Sequence, residues 1–376
     1  MFSLFKSLWR SNVRKIGKVG RKQTNKLVKA LLAPTPLKKT ARKSVAANTT
    51  AIKPATAKTT DSVWGRSTFV SKAGIDSVPG RRMEYWLYRP SAMTAPDAAA
   101  AGTPLVVMLH GCEQTAVEFA QGTRMNALGE NKGFGVLYPQ QSARAQRNRC
   151  WPWYRKDIQD GGGEARLIAA IIEQVVKRHG FDPARVYLAG LSAGASMAHI
   201  IALRHPQLIA AVGLHSGTIF GAASTSVGGY GVMQRGGLKL VGTAIREVTE
   251  ASIETFPAMP AILIQGQLDT VVRPINFHQL AQQFCQLNGL TNEQRQPARF
   301  SAGGRSARSA HAFETIDYRV GKKTMLRLCE IRQLNHAWSG GDPELPFNER
   351  KGPDASRMMW NFFAPHRRVP AAATAR

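Results

Sequence analysis

The chain has 376 residues, of which 43% are apolar, so it is long enough to bury the core of one large domain or two small ones without disulfides. Its formal net charge of +27 would suit a nucleic-acid binder if the charge were evenly spread. However, residues 1–60 hold 15 Lys and Arg and no Asp or Glu, which leaves 36 basic against 24 acidic residues elsewhere. This distribution excludes a uniformly basic domain, and no specific nucleic-acid partner is predicted.

Residues 1–33 have the pattern of a basic amphipathic helix, because large apolar residues recur every three or four positions at Phe2, Phe5, Trp9, Val13 and Ile16. Such a helix can lie on an anionic or apolar surface, and a solvated extension is an equal alternative. Basic residues interrupt every apolar run here, so the segment lacks the core of a standard signal peptide. The N-terminus therefore predicts a cytoplasmic protein.

Residues 34–61 are rich in Ala, Pro, Thr and Lys and hold few large apolar groups, which predicts a disordered linker. After this linker the sequence changes to recurring apolar runs, and we expect a single catalytic domain over 62–366 with a short tail at 367–376. No apolar run approaches the roughly 18 residues that span a bilayer, so the chain is predicted to be soluble or peripheral. The four cysteines form no C-x-x-C pair, which argues against a zinc knuckle or a thioredoxin-like motif.

Short apolar runs that are typical of buried strands follow one another along this domain, at Met83–Tyr88, Leu105–Leu109, Val136–Tyr138, Val186–Ala189, Ala210–Leu214 and Ala261–Ile264. Apolar stripes between them predict helices, one over Leu167–Val176 and another over Ala193–His205. Alternating strands and helices predict an α/β fold with a mostly parallel, doubly wound sheet and helices on both faces. Residues 219–256, rich in Gly, Ser and Thr, are expected to form an inserted cap or loop region near the site.

The segment Gly190-Leu191-Ser192-Ala193-Gly194 places G-x-S-x-G after a buried strand and before a helix. This context is that of the nucleophile turn of α/β-hydrolases, in which glycines permit a sharp turn that lifts the serine clear of the sheet. We therefore expect Ser192 to be a nucleophile; a purely structural turn is the alternative.

A serine nucleophile needs a histidine base held by a carboxylate, and in this fold the chain order is Ser, then Asp or Glu, then His. Asp269 follows the strand at 261–264, where catalytic groups gather, although a turn-forming aspartate would look the same. His336 follows the extended stretch Met325–Leu334 and is the predicted base. The other histidines after Asp269 receive simpler interpretations. His278 is interpreted as a helical surface residue, His311 as a polar-loop residue and His366 as a tail residue.

The oxyanion of the reaction needs two backbone donors, one after the nucleophile and one in the loop after an early strand. Ala193 is predicted to supply the first, and Cys112, in the segment His110-Gly111-Cys112, the second. A plain strand-ending turn is the alternative for this loop. Two sets of aromatic residues could line the substrate site or pack in the core. They are the cluster Trp151, Trp153 and Tyr154, and Trp338, which lies two residues after the predicted base.

Between about residues 66 and 365 the chain resembles the polyhydroxybutyrate (PHB) depolymerase family of esterases, which is related to the feruloyl and acetylxylan esterases. Seven segments in the family's order carry the resemblance: Leu109–Gln114, Leu137–Gln141, Arg149–Tyr154, Gly162–Ala165, Gly190–Gly194, Leu214–Gly217 and Asn335–Gly341. The resemblance implies the same triad and a disulfide between Cys112 and Cys150, which would persist in an oxidising compartment. One departure is that the family's usual His-Gly-x-x-Asp is here Gln265-Gly266-Gln267-Leu268-Asp269.

These features predict a serine-dependent carboxylic-ester hydrolase that acts on short-chain hydroxyalkanoate esters, PHB polymer or its oligomers, with no metal or organic cofactor. A feruloyl or acetylxylan esterase is the alternative within enzymes. An alternative of another class is a non-catalytic protein that binds a granule, membrane surface or nucleic acid through a hydrolase-like scaffold. Many relatives are extracellular, so a cytoplasmic chain docked on polymer granules through residues 1–33 remains a hypothesis.

Overall fold

The structure is a computed structural model that describes residues 63–72, 80–94, 102–237, 241–250, 256–302 and 311–368. The predicted amphipathic segment 1–33, the linker 34–61 and most of the tail 367–376 lie outside the described residues. None of the helices in the described part of the chain has the length and hydropathy needed to cross a bilayer.

The described residues form twelve strands, which are β1 Val63–Val70, β2 Arg82–Arg89, β3 Leu105–Leu109, β4 Gly135–Gln140, β5 Val186–Leu191, β6 Ala211–His215, β7 Ala261–Gly266, β8 Arg299–Ser301, β9 Phe313–Val320, β10 Lys323–Ile331, β11 Trp338–Ser339 and β12 Asn348–Glu349. The α-helices in the same ranges are α1 Ser91–Thr94, α2 Ala116–Thr123, α3 Met125–Lys132, α4 Lys156–Gln159, α5 Gly163–His179, α6 Ala193–Arg204, α7 Ser226–Arg235, α8 Thr243–Glu250, α9 Ile275–Leu287 and α10 Ala355–Phe363.

Ten of these strands form one sheet in the order β1-β2-β4-β3-β5-β6-β7-β10-β9-β8, and β11 pairs with β12 apart from it. The six central strands, β4 to β10 in this order, run parallel, as the apolar runs predict. The outer strands β1, β2, β8 and β9 are antiparallel to their neighbours, and the sequence analysis identified β2 alone among these four. Edge strands escape detection because one face meets solvent and their apolar runs are broken.

The central strands are buried on both faces, and alternate residues of one strand enter two different cores. Leu105 and Val107 of β3 pack in one core with α5, α6 and α9, whereas Val106 and Met108 pack in the other with α2, α3 and α10. The sheet is therefore doubly wound, with helices on both faces.

The region 219–256, which was predicted to be a cap or loop, contains the helices α7 and α8. Val232 and Met233 on α7 and Ile245 and Val248 on α8 are buried in the main core. The prediction missed α7 because it contains three glycines and a serine, and it missed α8 because that helix is short and has only two large apolar residues, Ile245 and Val248. Packing against α9 and its neighbours supplies the stability that local propensity lacks.

We predict that His199 on α6 makes the fold sensitive to acid. The ring is buried against Phe284, with 4.9 Å between ring centroids, and burial lowers the pKa of His199 from 6.5 to about 3. Below pH 6.5 the unfolded chain therefore binds a proton that the folded chain does not, so stability falls as the pH decreases from 6.5 toward 3. The expected loss from this group between pH 7 and 5 is about 2 kcal/mol.

Urea unfolding at pH 7 and pH 5 checks this prediction. His199→Met removes the titrating group, so the unfolding free energy of this variant should change less with pH than that of the wild type. His278→Met, at an exposed position of α9, is the matched control and should keep the wild-type dependence. Equal dependence in the wild type and in His199→Met would contradict the prediction.

Candidate active site

The three predicted triad residues follow the carboxyl ends of three parallel strands. Ser192 comes directly after β5, Asp269 follows β7, and His336 follows β10. In the sheet β5, β6, β7 and β10 are consecutive neighbours that run in the same direction, so their carboxyl ends share one edge. This is the edge at which ligands bind in open α/β sheets.

Ser192 occupies a strained turn between β5 and α6. Its φ of 57° and ψ of −123° lie outside the regions that an L-residue favours, and the surrounding structure must hold it there. The two glycines of the motif leave no room for a side chain. A Cβ at Gly190 would overlap the backbone of Gly194, and a Cβ at Gly194 would overlap the carbonyl oxygen of Leu109. The two glycines of the motif therefore let the turn pack tightly against the end of β3.

Asp269 and His336 form a buried pair in which 2.8 Å separates Oδ2 of the aspartate from Nδ1 of the histidine. The other oxygen of Asp269, Oδ1, accepts the backbone N–H groups of Val271 and Val272, each at 2.9 Å. Because an ionised carboxylate only accepts hydrogen bonds, the proton between the pair resides on Nδ1. A neutral His336 then has its lone pair on Nε2, the form that a general base requires.

Gln265, the position at which the chain departs from the family's usual histidine, contacts Asp269, the predicted aspartate of the triad. Its Nε2 donates to Oδ2 of Asp269 at 3.1 Å and to the carbonyl oxygen of Val272 at 3.0 Å. The side chain is buried at the end of β7. The glutamine amide therefore helps to hold the carboxylate that orients His336, a role that the sequence pattern did not reveal.

The structure joins Cys112 and Cys150 by a disulfide, with their Cα atoms 4.2 Å apart. The loop that this bond closes is also fixed by hydrogen bonds to His110. Trp151 Nε1 donates to the His110 carbonyl oxygen at 2.9 Å, and the backbone N–H of Gln141 donates to His110 Nε2 at 3.1 Å. Burial lowers the pKa of His110 to about 4, so the ring is neutral and Nδ1 donates to the Gly111 carbonyl oxygen.

A small pocket brings the proposed nucleophile and the two proposed oxyanion donors together. Its lining includes Cys112, Ser192 and Ala193, and Trp153 closes one side. The structure places the other predicted lining residues elsewhere: Trp151 and Trp338 are fully buried outside this pocket. For these two tryptophans the placement favours core packing, the alternative to lining the substrate site.

The physical reason is that both buried indole N–H groups find protein acceptors, so the whole side chain can be covered. Trp151 donates to the His110 carbonyl, as described above, and Trp338 Nε1 donates to Ser356 Oγ at 3.2 Å. Tyr154, which was considered with them, is half-buried and packs edge-on to Trp153. The expected tail residue His366 is also buried, and its ring contacts the Phe362 and Thr324 carbonyl oxygens.

His215, at the end of β6, connects the turn at Ser192 to the loop that contains His336. Its carbonyl oxygen accepts the Ser192 N–H at 2.9 Å, and its ring stacks on Trp338 at 5.3 Å and accepts the Ser339 N–H at 3.3 Å. Burial, with a smaller contribution from His336, lowers the pKa of His215 to about 3. The sequence analysis assigned no role to this residue, although it lies within the segment Leu214–Gly217 that contributes to the resemblance.

The sheet and the serine turn define the class of the protein: the chain is an α/β-hydrolase, as predicted. Among the described residues no three His, Cys, Asp or Glu side chains are grouped as metal ligands. Residues 83–306 match the model of the Esterase PHB depolymerase family, and the chain belongs to this family of carboxylic-ester hydrolases. The predicted relationship is confirmed.

Individual relatives agree with this assignment. The chain is 32% identical over 198 residues to poly(3-hydroxyalkanoate) depolymerase C of Paucimonas lemoignei, covering 52% of this chain and 47% of the relative. It is 25% identical over 202 residues to acetylxylan esterase A of Aspergillus awamori, covering 52% of this chain and 66% of the relative. The solved structure of acetyl xylan esterase from Aspergillus awamori superposes with a TM-score of 0.60 at 18% identity and covers 80% of this chain and 99% of that chain, which shows a common fold.

We predict that Gln265→Leu lowers kcat by about tenfold to a hundredfold, because it removes a hydrogen bond to a charged group that orients the base. Gln265→His restores a donor at this position and should recover most of the lost rate. Steady-state hydrolysis of p-nitrophenyl butyrate, with urea unfolding of each variant as the control for folding, provides the measurement. A fully active Gln265→Leu would show that Asp269 needs no help from this side chain.

Proposed function

We propose that the chain is a serine-dependent carboxylic-ester hydrolase with the triad Ser192, His336 and Asp269. The observation that carries the proposal is the strained serine turn at the same sheet edge as the buried Asp269–His336 pair. Backbone angles such as the φ of 57° and ψ of −123° at Ser192 cost about 1–3 kcal/mol, and strain of this kind is typical of functional sites.

The reaction is a two-step acyl transfer. Ser192 Oγ attacks the ester carbonyl while His336 Nε2 takes its proton, and Asp269 stabilises the imidazolium that forms. His336 then returns the proton to the departing alcohol oxygen as the C–O bond breaks. Water enters, loses a proton to His336 and cleaves the acyl-enzyme, which releases the acid and regenerates Ser192.

The N–H groups of Cys112 and Ala193 stabilise the negative charge on the carbonyl oxygen in both steps. Ala193 is the first residue of α6, where backbone N–H groups have no partner within the helix. Cys112 belongs to the loop that the disulfide and the His110 hydrogen bonds hold in place. Donors that are fixed before the reaction need no reorganisation when charge develops, so they contribute more than mobile donors.

Short-chain hydroxyalkanoate esters, either PHB polymer or its oligomers, are the proposed substrates. The pocket beside Ser192 is narrow, with a volume of about 10 Å³, and its lining includes Trp153, Met233 and Val272. These apolar walls suit a short aliphatic acyl group, and the relative from Paucimonas lemoignei is named for a poly(3-hydroxyalkanoate). An acetyl ester of a carbohydrate is the second candidate, since another relative is an acetylxylan esterase. Binding to a granule through residues 1–33 stays a prediction.

Replacing Ser192 by Ala tests the mechanism, and kcat for p-nitrophenyl butyrate should fall at least about a thousandfold. His336→Asn should have an effect of similar size, because the two residues act as a unit. His278→Asn, at an exposed histidine of α9, is the matched control and should keep wild-type activity. Activity in Ser192→Ala equal to that of the wild type would refute the proposal.

The substrate class is tested by comparing the release of 3-hydroxybutyrate from its oligomers with the release of acetate from acetylated xylan and of ferulate from a feruloyl ester. We expect the highest kcat/KM for the oligomers. A preference for acetylated xylan would instead assign the chain to the carbohydrate esterases, with the same triad chemistry.

A further inference from the structure

A groove with a volume of about 770 Å³ lies on the surface beside the loop that begins at His110 and contains Cys112. The proposed mechanism makes no use of this groove. Its lining comes from β1 and β2, from the start of α2 and from the loop that follows β4. We call it the arginine groove, after the residues that contribute most of its charge: Arg66, Arg82, Arg144 and Arg149.

The arginine groove is strongly electropositive. Four guanidinium groups face one carboxylate, that of Glu84, which lies 3.9 Å from Arg66. Within the described ranges, no acidic side chain lies within ion-pair distance of Arg82 or Arg144. The arginines therefore have hydrogen-bond donors available for an anion, and Arg is the side chain best suited to bidentate binding of a carboxylate.

The covalent structure places the backbone of Arg149 close to the proposed oxyanion donor, Cys112. Arg149 precedes Cys150, so their Cα atoms are about 3.8 Å apart, and the disulfide sets the Cα atoms of Cys150 and Cys112 at 4.2 Å. The Cα atom of Arg149 is therefore at most about 8 Å from that of Cys112, the proposed oxyanion donor. The arginine groove and the proposed oxyanion donor are therefore linked through one disulfide and one peptide bond.

Apolar surface is also present in the groove. Trp86 is half-buried and stacks on Trp64 with 5.1 Å between ring centroids, and Val117 is 39% exposed. Such surfaces can cover the methyl and methylene groups of an aliphatic chain whose end is charged. The groove thus combines the two chemical features of a linear hydroxy-acid oligomer, an aliphatic backbone and one terminal carboxylate.

We infer that the arginine groove binds the free carboxylate of a linear hydroxyalkanoate oligomer and holds the unit that leaves as a hydroxy acid. This inference rests on the proposed function and extends it to the leaving group. In the first step the bond from Ser192 Oγ to the acyl carbon forms while His336 takes the serine proton. The ester C–O bond then breaks, and His336 gives this proton to the departing oxygen, which becomes the hydroxyl of the unit whose carboxylate the groove holds. The enzyme then cleaves oligomers from their acid end.

The test compares the 3-hydroxybutyrate trimer as the free acid with the same trimer capped as a methylamide. A carboxylic acid of this kind is ionised at pH 7, and the cap removes its charge. For the full-length wild type we expect kcat/KM to be about tenfold higher for the acid, mainly through KM, since a charge-assisted hydrogen bond is lost with the cap. Added salt should reduce this preference because the groove is open to solvent.

In the double variant Arg82→Gln/Arg144→Gln, the ratio of kcat/KM for the acid trimer to kcat/KM for the capped trimer should fall toward one. Both residues are exposed, so the substitutions leave the core intact, and Arg149→Gln provides an independent second variant. Arg178→Gln, on the exposed side of α5, is the matched control and should keep the wild-type preference.

The outcomes separate the two proposals. If the wild type cleaves both trimers equally well, or if the double variant keeps the preference, the arginine groove does not bind the carboxylate, while the esterase proposal stands. If the wild type hydrolyses neither trimer nor p-nitrophenyl butyrate, the proposed function fails and this inference fails with it.

Discussion

The close approach of the serine turn to the end of β3 is the constraint on which the site depends. Gly194 lies so near the carbonyl oxygen of Leu109 that any side chain there would overlap it. This contact positions α6 directly over the sheet, and it brings the start of α6 next to the loop that begins at His110. One tight packing contact therefore sets both the conformation of the nucleophile and the distance between the two proposed oxyanion donors.

Neutral buried histidines form the scaffold around this contact. His110 fixes the loop of Cys112, because its Nδ1 donates a hydrogen bond and its Nε2 accepts one, and His215 connects the turn at Ser192 to the loop of His336. Burial keeps both rings uncharged, so each can accept a backbone N–H at Nε2 and carry a proton at Nδ1. A lysine or arginine at either position could not accept these hydrogen bonds. The same residue type thus serves as a fixed support at two positions and as the proposed proton carrier at a third.

Features that depend on a local pattern of residues could be predicted from the sequence. The apolar runs predicted the parallel strands, and the motif around Ser192 predicted a turn whose glycines the structure explains sterically. Features that depend on distant partners were not predictable: the burial of Trp338 requires Ser356, and the contact of Gln265 with Asp269 requires the chain to turn back after β7. The arginine groove is a clear example, since its residues come from strands and loops that adjoin only in the folded sheet.

The order of the strands has a consequence for the biosynthesis of the protein. Ser192, Asp269 and His336 follow β5, β7 and β10, and the sheet cannot place the histidine until β10 has paired with β7. A nascent chain or a proteolytic fragment that ends before β10 holds the nucleophile without its base. With the proposed triad, such a fragment is inert toward esters. The time at which esterase activity appears during refolding would therefore report when the last parallel strand, β10, pairs with β7.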